Sequence, residues 1–248
     1  MAEFNRQVCA TIPNFPRSVG SPVCAHYENV PAPDWFPDFF GSTPPDSPGK
    51  LDLWPGYLGS FVRLAPSLNE AQTDVYSKFP RRETLNGLFG LLPHWAVDEK
   101  LARSTYNARS ETVASKPSFR DAWRKARHCI IPARAIYEPD WRSGKAISTR
   151  IERTDGRPMG IAGLWDAWKK PDGSWLLSYT MLTINADDHP LMRDFHKPTD
   201  EKRMVVILPE SSYEGWLNAP ANESAAYLNP FSAADLVARP QLASGRSG

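Results

Sequence analysis

Two long apolar runs limit what this chain can become. "MGIAGLW" (159–165) and "SWLLSYTMLTI" (174–184) read as strands, with the "KPDGS" turn between them. "LGSFVRL" (58–64) and "LNGLFGLL" (85–92) are strand-like as well. "CIIPARAIYE" (129–138) reads as two short strands broken near Pro132, and "AISTRIER" (146–153) alternates. "RMVVIL" (203–208) has the pattern of one buried strand. Helical patterns are short and scattered among these strands. One covers 33–40 with Trp35, Phe36, Phe39 and Phe40, and residues 41–50 follow as a loop. Another covers 116–128, where Phe119, Trp123 and Ala126 share a face; Ser115 or Ser118 caps it and Pro117 suits its first turn. "DDHPLMRDF" (187–195) makes a turn or two, and "YEGWL" and "SAADLV" close the chain as short helices. Strands and helices alternate too irregularly for a doubly wound sheet. Neither GxGxxG nor a Walker loop is present, so a nucleotide cofactor has no support.

At 248 residues and 41% hydrophobic content, one sizeable core and one domain are expected. Nine tryptophans and 24 prolines point to a loop-rich α+β domain rather than a helical bundle. Three cysteines, Cys9, Cys24 and Cys129, have no CxxC spacing, which argues against a disulfide scaffold or zinc ribbon and favours cytoplasm. No run of 18 apolar residues could span a membrane, and the first 23 residues lack a signal-peptide pattern. Residues 1–22 and 239–248 read as tails.

Five polar groups could carry chemistry: Asn107 and Arg109 in "YNARSET", Glu138 in "IYEPDW", His196 in "DFHKP", and Cys24. Each also has a plain structural reading. A glutamate at a strand end is usually solvated. His196 could cap a helix C-terminus, where the dipole favours a cation. A lone Cys is most often a small buried apolar side chain, and Cys129 in its apolar strand reads as core. Asn107 could be a turn residue. His94, His128 and His189 lack metal-ligand spacing, so no metal is expected.

Net charge is only +1, yet residues 100–134 hold nine Lys or Arg against two acids. Tyr106, Phe119 and Trp123 are interleaved with them, and Phe89, Pro93 and Trp95 come just before. Basic side chains holding phosphates beside aromatic faces would suit an unpaired nucleic-acid strand. For 116–128 the simpler reading places Phe119 and Trp123 in the core. Arg109 is the better phosphate candidate.

The blocks "GLFGLLPHWA", "NARSET", "RHCIIPARAIYEPDW", "GIAGLWDAW" and "LTINADDHPLMRDFHKP…RMVVIL", in this order, resemble the SRAP family, the SOS-response-associated peptidase-like proteins that process abasic sites in single-stranded DNA. The resemblance runs from about Cys24 to about Pro240. It sets a domain at 24–240, with 1–23 an extension and 241–248 a tail. It implies a single α+β domain with a strongly curved, barrel-like mixed or antiparallel sheet and short flanking helices. It also implies a cysteine whose free α-amine forms a Schiff base with the lesion's aldehyde and whose thiol closes a thiazolidine. By that resemblance Cys24, Asn107, Glu138 and His196 are catalytic. Asn107 holds the amine, Glu138 moves protons, and His196 assists opening of the sugar ring. Arg109 pairs with a phosphate, and Phe89, Pro93 and Trp95 form a stacking wedge. No cofactor is implied. The partner is single-stranded DNA with abasic sites, and the expected state is a cytoplasmic monomer, nucleoid-associated during DNA damage.

Three departures stand out. Cys24-Ala25-His26 replaces the family's Cys-Gly-Arg, so His26 stands in the place of a phosphate-binding Arg. Phe89 stands where Trp is usual. "KPTDEK" separates His196 from Arg203-Met204. Cys24 also has 23 residues before it. Either Val23 marks a GTG start, or 1–23 is a propeptide removed by autoprocessing, or crosslinking has been lost. A thiol peptidase and a noncatalytic single-strand or modified-DNA binder remain as alternative functions.

Overall fold

The computed structural model describes residues 24–31, 33–47, 49–66 and 82–241. Strand β1 (His26–Glu28) leads into a π-helical turn (Phe36–Phe40) and the short β2 (Asp52–Leu53). Next come β3 (Leu58–Leu64), β4 (Arg82–Phe89), a 3-10 segment (Glu99–Ser104), β5 (Asn107–Arg109) and helix α1 (Arg120–Arg124). The strands β6 (His128–Ala133), β7 (Ala135–Asp140), β8 (Ile147–Arg153), β9 (Met159–Lys169) and β10 (Trp175–Asn185) follow. After a 3-10 turn (Met192–Asp194), β11 (Arg203–Val205), β12 (Ile207–Leu208), helix α2 (Tyr213–Asn218) and β13 (Leu236–Pro240) complete the domain.

The apolar hairpin is the frame. β9 and β10 pair antiparallel from Lys169–Trp175 to Gly163–Met181. Their turn is held by Asp172, whose carboxylate accepts from the Ser174 N–H and hydroxyl at 2.9 and 2.7 Å. β10 continues parallel to β4, β4 antiparallel to β3, β3 to β6, and β6 back to β9. Five strands thus close a mixed barrel, and closure removes the open edges that a five-stranded sheet would expose. The expected curved α+β domain is what forms.

"RMVVIL" makes two strands, not one. β11 pairs with β10 and β12 with β9. Val206 between them donates to Leu182 O and accepts from Ala162 N, so the segment crosses from one strand of the hairpin to the other. Pro132 lies inside β6, and the break comes at Arg134. Ile130 is the last β6 residue paired with β3, and Ala162 opposite it turns its N–H to Val206. Two residues on, Pro132 has its nitrogen toward the side β3 has already left, so no ladder donor is missed. Helix α1 is shorter than its pattern. Its N-cap is Phe119 with no side-chain cap, and it ends before Ala126, which has φ of 48°. "SAADLV" is helical only over Ala233–Asp235, and Leu236 starts β13, which takes in Arg239 and Pro240. Residues 1–22 lie outside the described residues. No helix among the described residues is long and apolar enough to cross a membrane.

A second sheet, in the order β13-β8-β7-β1-β2, lies against the barrel. Tyr27 of β1 joins the two, its hydroxyl 2.5 Å from that of Tyr179 on β10 and its ring edge-on to Phe89 at 5.2 Å. All three side chains are fully buried. Gly59 on β3 makes room, because a Cβ there would collide with both hydroxyls and with Leu53. Gly59→Ala is therefore expected to cost about 2 kcal/mol through overpacking. Thermal denaturation should show Tm lowered by several degrees, and the loss should shrink when Gly59→Ala is combined with Tyr179→Phe.

Candidate active site

β1 and β7 pair antiparallel, with His26 opposite Tyr137. That register brings Cys24 alongside Glu138. The Cys24 N–H donates to Glu138 Oε1 at 3.0 Å, and both residues are essentially inaccessible to solvent. Cys24 has φ of 26°, a strained value for a residue with a Cβ. Its Sγ faces His26 O at 3.8 Å. Burial, reinforced by the neighbouring Glu138, pushes the thiol well above its ordinary range, so it is held as SH.

His196 meets the same carboxyl from the other side. Its Nε2 lies 3.7 Å from Glu138 Oε2. It also lies 3.2 Å from Arg203 O, a carbonyl that can only accept, so Nε2 carries the hydrogen. The His196 backbone has φ of 65°, and its N–H donates to Pro139 O at 2.9 Å, tying the residue to the strand that carries Glu138. Burial holds His196 below its ordinary value, so the ring is neutral. Among the described residues, His196 Nδ1 and Glu138 Oε2 have no hydrogen-bond partner.

Asn107 opens β5, opposite Met181 of β10, and is half-buried. Tyr106 just before it was noted in the sequence only as an interleaved aromatic. Its ring packs edge-on to Phe89 at 5.9 Å. Burial first, then Cys24 and Glu138, raise its hydroxyl to about 12.

The wedge needs correction. Phe89 is 0% exposed and stacks on Tyr179 with centroids 5.5 Å apart, so neither face of its ring is free for a base. Pro93 is buried too. Trp95 is 45% exposed, and its neighbours His94 and Val97 are exposed as well. Gly90, with φ of 122°, turns the chain here, and a Cβ on it would strike the Ala102 backbone.

His26 is not a free cation. It lies between Trp54 and Tyr137, with centroids 4.2 and 4.1 Å away and the rings nearly parallel. Its Nε2 is 2.8 Å from Asp52 Oδ1. Burial lowers its pKa although Asp52 opposes this. Arg109 is exposed, and its Nη1 meets Glu201 at 2.7 Å. Sequence reasoning passed over Asp52, Trp54, Tyr137 and Glu201, because no spacing links them to the motifs they serve.

The other buried histidines are structural. His128 bonds Ser224 at 2.9 Å, and burial lowers it to about 4. His189 accepts from the Met192 N–H and donates to Phe231 O. Among the described residues no group of three His, Cys, Asp or Glu could hold a metal ion.

Burial raises Glu138 from 4.5 to about 8. Below pH 4.5 folded and unfolded chains both keep this proton. Above it the unfolded chain releases the proton while the folded chain holds it up to about pH 8. Stability should therefore fall across that window, by on the order of 5 kcal/mol from this group. Denaturant titrations at a series of pH values are expected to show that slope in the wild type and a flatter one in Glu138→Gln.

The SOS response associated peptidase (SRAP) family model matches residues 57–241. Abasic site processing protein YoqW of Bacillus subtilis is 38% identical over 155 residues, 60% of this chain and 65% of YoqW, so the match spans just under two thirds of that relative. Abasic site processing protein HMCES of Mus musculus is 28% identical over 162 residues, 52% of this chain and 43% of HMCES. A solved structure of a protein from Bordetella bronchiseptica is 47% identical with a TM-score of 0.78, covering 88% of this chain and 99% of that one. A Bacteroides thetaiotaomicron protein, 21% identical with a TM-score of 0.70 and covering 88% of this chain and 91% of that one, shares the fold. With three quarters of its length inside the family match, this chain belongs to the SRAP family.

Proposed function

We propose that this protein recognises abasic sites in single-stranded DNA and joins them covalently through Cys24 once the Cys24 nitrogen is a free amine. The observation that carries this reading is the Glu138 carboxyl, 3.0 Å from the Cys24 nitrogen and 3.7 Å from His196. A ring-opened abasic sugar presents an aldehyde. The amine nitrogen would add to the aldehyde carbon, and loss of water would leave an imine. The thiol sulfur would then add to that carbon while its proton passes to nitrogen, closing a thiazolidine. The balance is one water released per crosslink.

Glu138 suits the proton traffic. A carboxyl with a pKa near 8 holds a proton at neutral pH, can give it to the departing hydroxyl and can take one back. His196, neutral with hydrogen on Nε2, would serve ring opening through Nδ1. Asn107 would orient the amine. Arg109 would hold a phosphate, and Trp95 would stack beside the gap. In the 248-residue chain the Cys24 nitrogen belongs to a peptide bond. Glu138 then faces the nitrogen that would leave if water were to hydrolyse Val23–Cys24 to a Val23 carboxylate and a Cys24 amine, which favours self-processing by protonation of that leaving group. The reaction needs one copy of the chain, so we expect a monomer acting in the cytoplasm where DNA is repaired.

Denaturing gels and intact mass should test this on a chain beginning at Cys24 and on the 248-residue chain, each mixed with single-stranded DNA bearing one abasic site. The shorter chain is expected to give a heat-stable covalent product, abolished in Cys24→Ala and slowed at least tenfold in Glu138→Gln. If the longer chain crosslinks, its mass should show loss of residues 1–23. Salt-sensitive binding that survives Cys24→Ala with no covalent product from either chain would leave a noncatalytic binder. Peptide cleavage without crosslinking would leave a peptidase.

A further inference from the structure

The six residues between His196 and Arg203 form a fastened loop. Lys202 Nζ donates to the carbonyls of Phe195, His196 and Lys197 at 3.0, 3.2 and 2.7 Å. The Lys202 N–H donates to Asp187 Oδ1 at 3.1 Å. So pinned, the loop delivers one carboxylate, Glu201, to two guanidiniums. Oε2 takes Arg109 Nη1 at 2.7 Å, and Oε1 takes Arg203 Nη1 at 2.6 Å. These guanidiniums come from strands on either flank of the C-terminal half of β10, with Arg109 opposite Thr183 and Arg203 opposite Asn185.

The two cations differ in freedom. Arg203 has a side chain 1% exposed and is also held by Glu111 at 2.9 Å and Thr183 O at 2.9 Å. Arg109 has a side chain 48% exposed. One anion whose two oxygens each take a guanidinium has the geometry in which a phosphate would be taken. Glu201 therefore fills the seat that a DNA phosphate would need, and only Arg109 can turn from one anion to the other.

We propose that Glu201 sets the DNA affinity of this site by competing with a strand phosphate for Arg109. The proposal rests on the single-stranded-DNA reading above. Phosphodiester and carboxylate each carry one negative charge, so the exchange is nearly balanced, and the strand must displace Glu201 to gain the Arg109 contact. Glu201 stays tethered through Arg203 and can return when the strand leaves.

The test uses the full chain and a fluorescent single-stranded oligonucleotide without an abasic site, so that no covalent step intervenes, with anisotropy read over a salt series. Glu201→Gln keeps the shape and loses the charge. It is expected to bind about two- to fivefold tighter at low salt, the scale of one exposed ion pair. Its salt slope should match the wild type's, because both make the same phosphate contacts when bound. Arg109→Gln should bind more weakly, and adding Glu201→Gln to it should bring no further gain. Glu201→Asp, charged but shorter, should gain less than Glu201→Gln. Equal or weaker binding by Glu201→Gln overturns the proposal, and so does a gain that persists without Arg109. A wild type that binds the oligonucleotide, with no gain in the variant, removes this proposal alone. A wild type that binds no single-stranded DNA removes the functional reading and this proposal together. Thermal denaturation of each variant confirms that the loop is still folded.

Discussion

A carboxyl group with no access to water organises the site. Glu138 is 1% exposed, and one of its oxygens accepts from the Cys24 N–H. Ionising it there without a cation in contact would be expensive, so the group keeps its proton until about pH 8. That cost is tolerated because the surroundings are rigid. β7 carries Glu138 between β1 and β8, with both neighbours in register. Cys24 and His196 both sit at positive φ around it. Two strained backbones turned toward one buried acid is an arrangement that folding alone does not require, and strain of this kind persists only where the surrounding structure imposes it.

The barrel does the imposing. Tyr27 and Tyr179 join the small sheet to the barrel wall through their hydroxyls, and Phe89 packs against both rings. β1 is only three residues long, so without that anchor little would fix the position of Cys24 two residues before His26. Arg203 plays the matching part on the other side. It bonds Thr183 of β10, gives its carbonyl to His196, and holds Glu201 and Glu111 with its guanidinium. The position of His196 thus depends on a buried arginine whose charge is answered by two carboxylates.

Much of this was legible in the residues. The hairpin of 159–184, β3 and β8 fall where apolar patterning puts them, since the apolar runs of the first three strands coincide with continuous burial on both faces. The motif order around Asn107, Glu138 and His196 pointed to the family. What patterning could not reach is contact between distant segments. Phe89 looked like an exposed wedge aromatic because it stands in the motif position of one, yet β4 ends by turning it onto Tyr179. Pro132 looked like a strand break because a proline lacks a donor, but the missing donor matters only where a neighbouring strand asks for it. Glu201 lies 92 residues from Arg109, and no local period can disclose such a pair.

His26 shows how a side chain expected to face DNA can be turned to hold the site together. Its imidazole lies between two aromatic rings, pinned to Asp52 and held neutral by burial. Its backbone carbonyl faces the Cys24 sulfur. Fixing that ring fixes the end of β1, and with it the approach of Cys24 to Glu138. The ring therefore serves as a positioning contact rather than an outward charge. That leaves Arg109 as the cation next to the motif asparagine, and Arg109 is the one that Glu201 occupies. Under the reading proposed above, a strand phosphate would find no unpaired cation at either position and would have to displace Glu201 to gain a guanidinium.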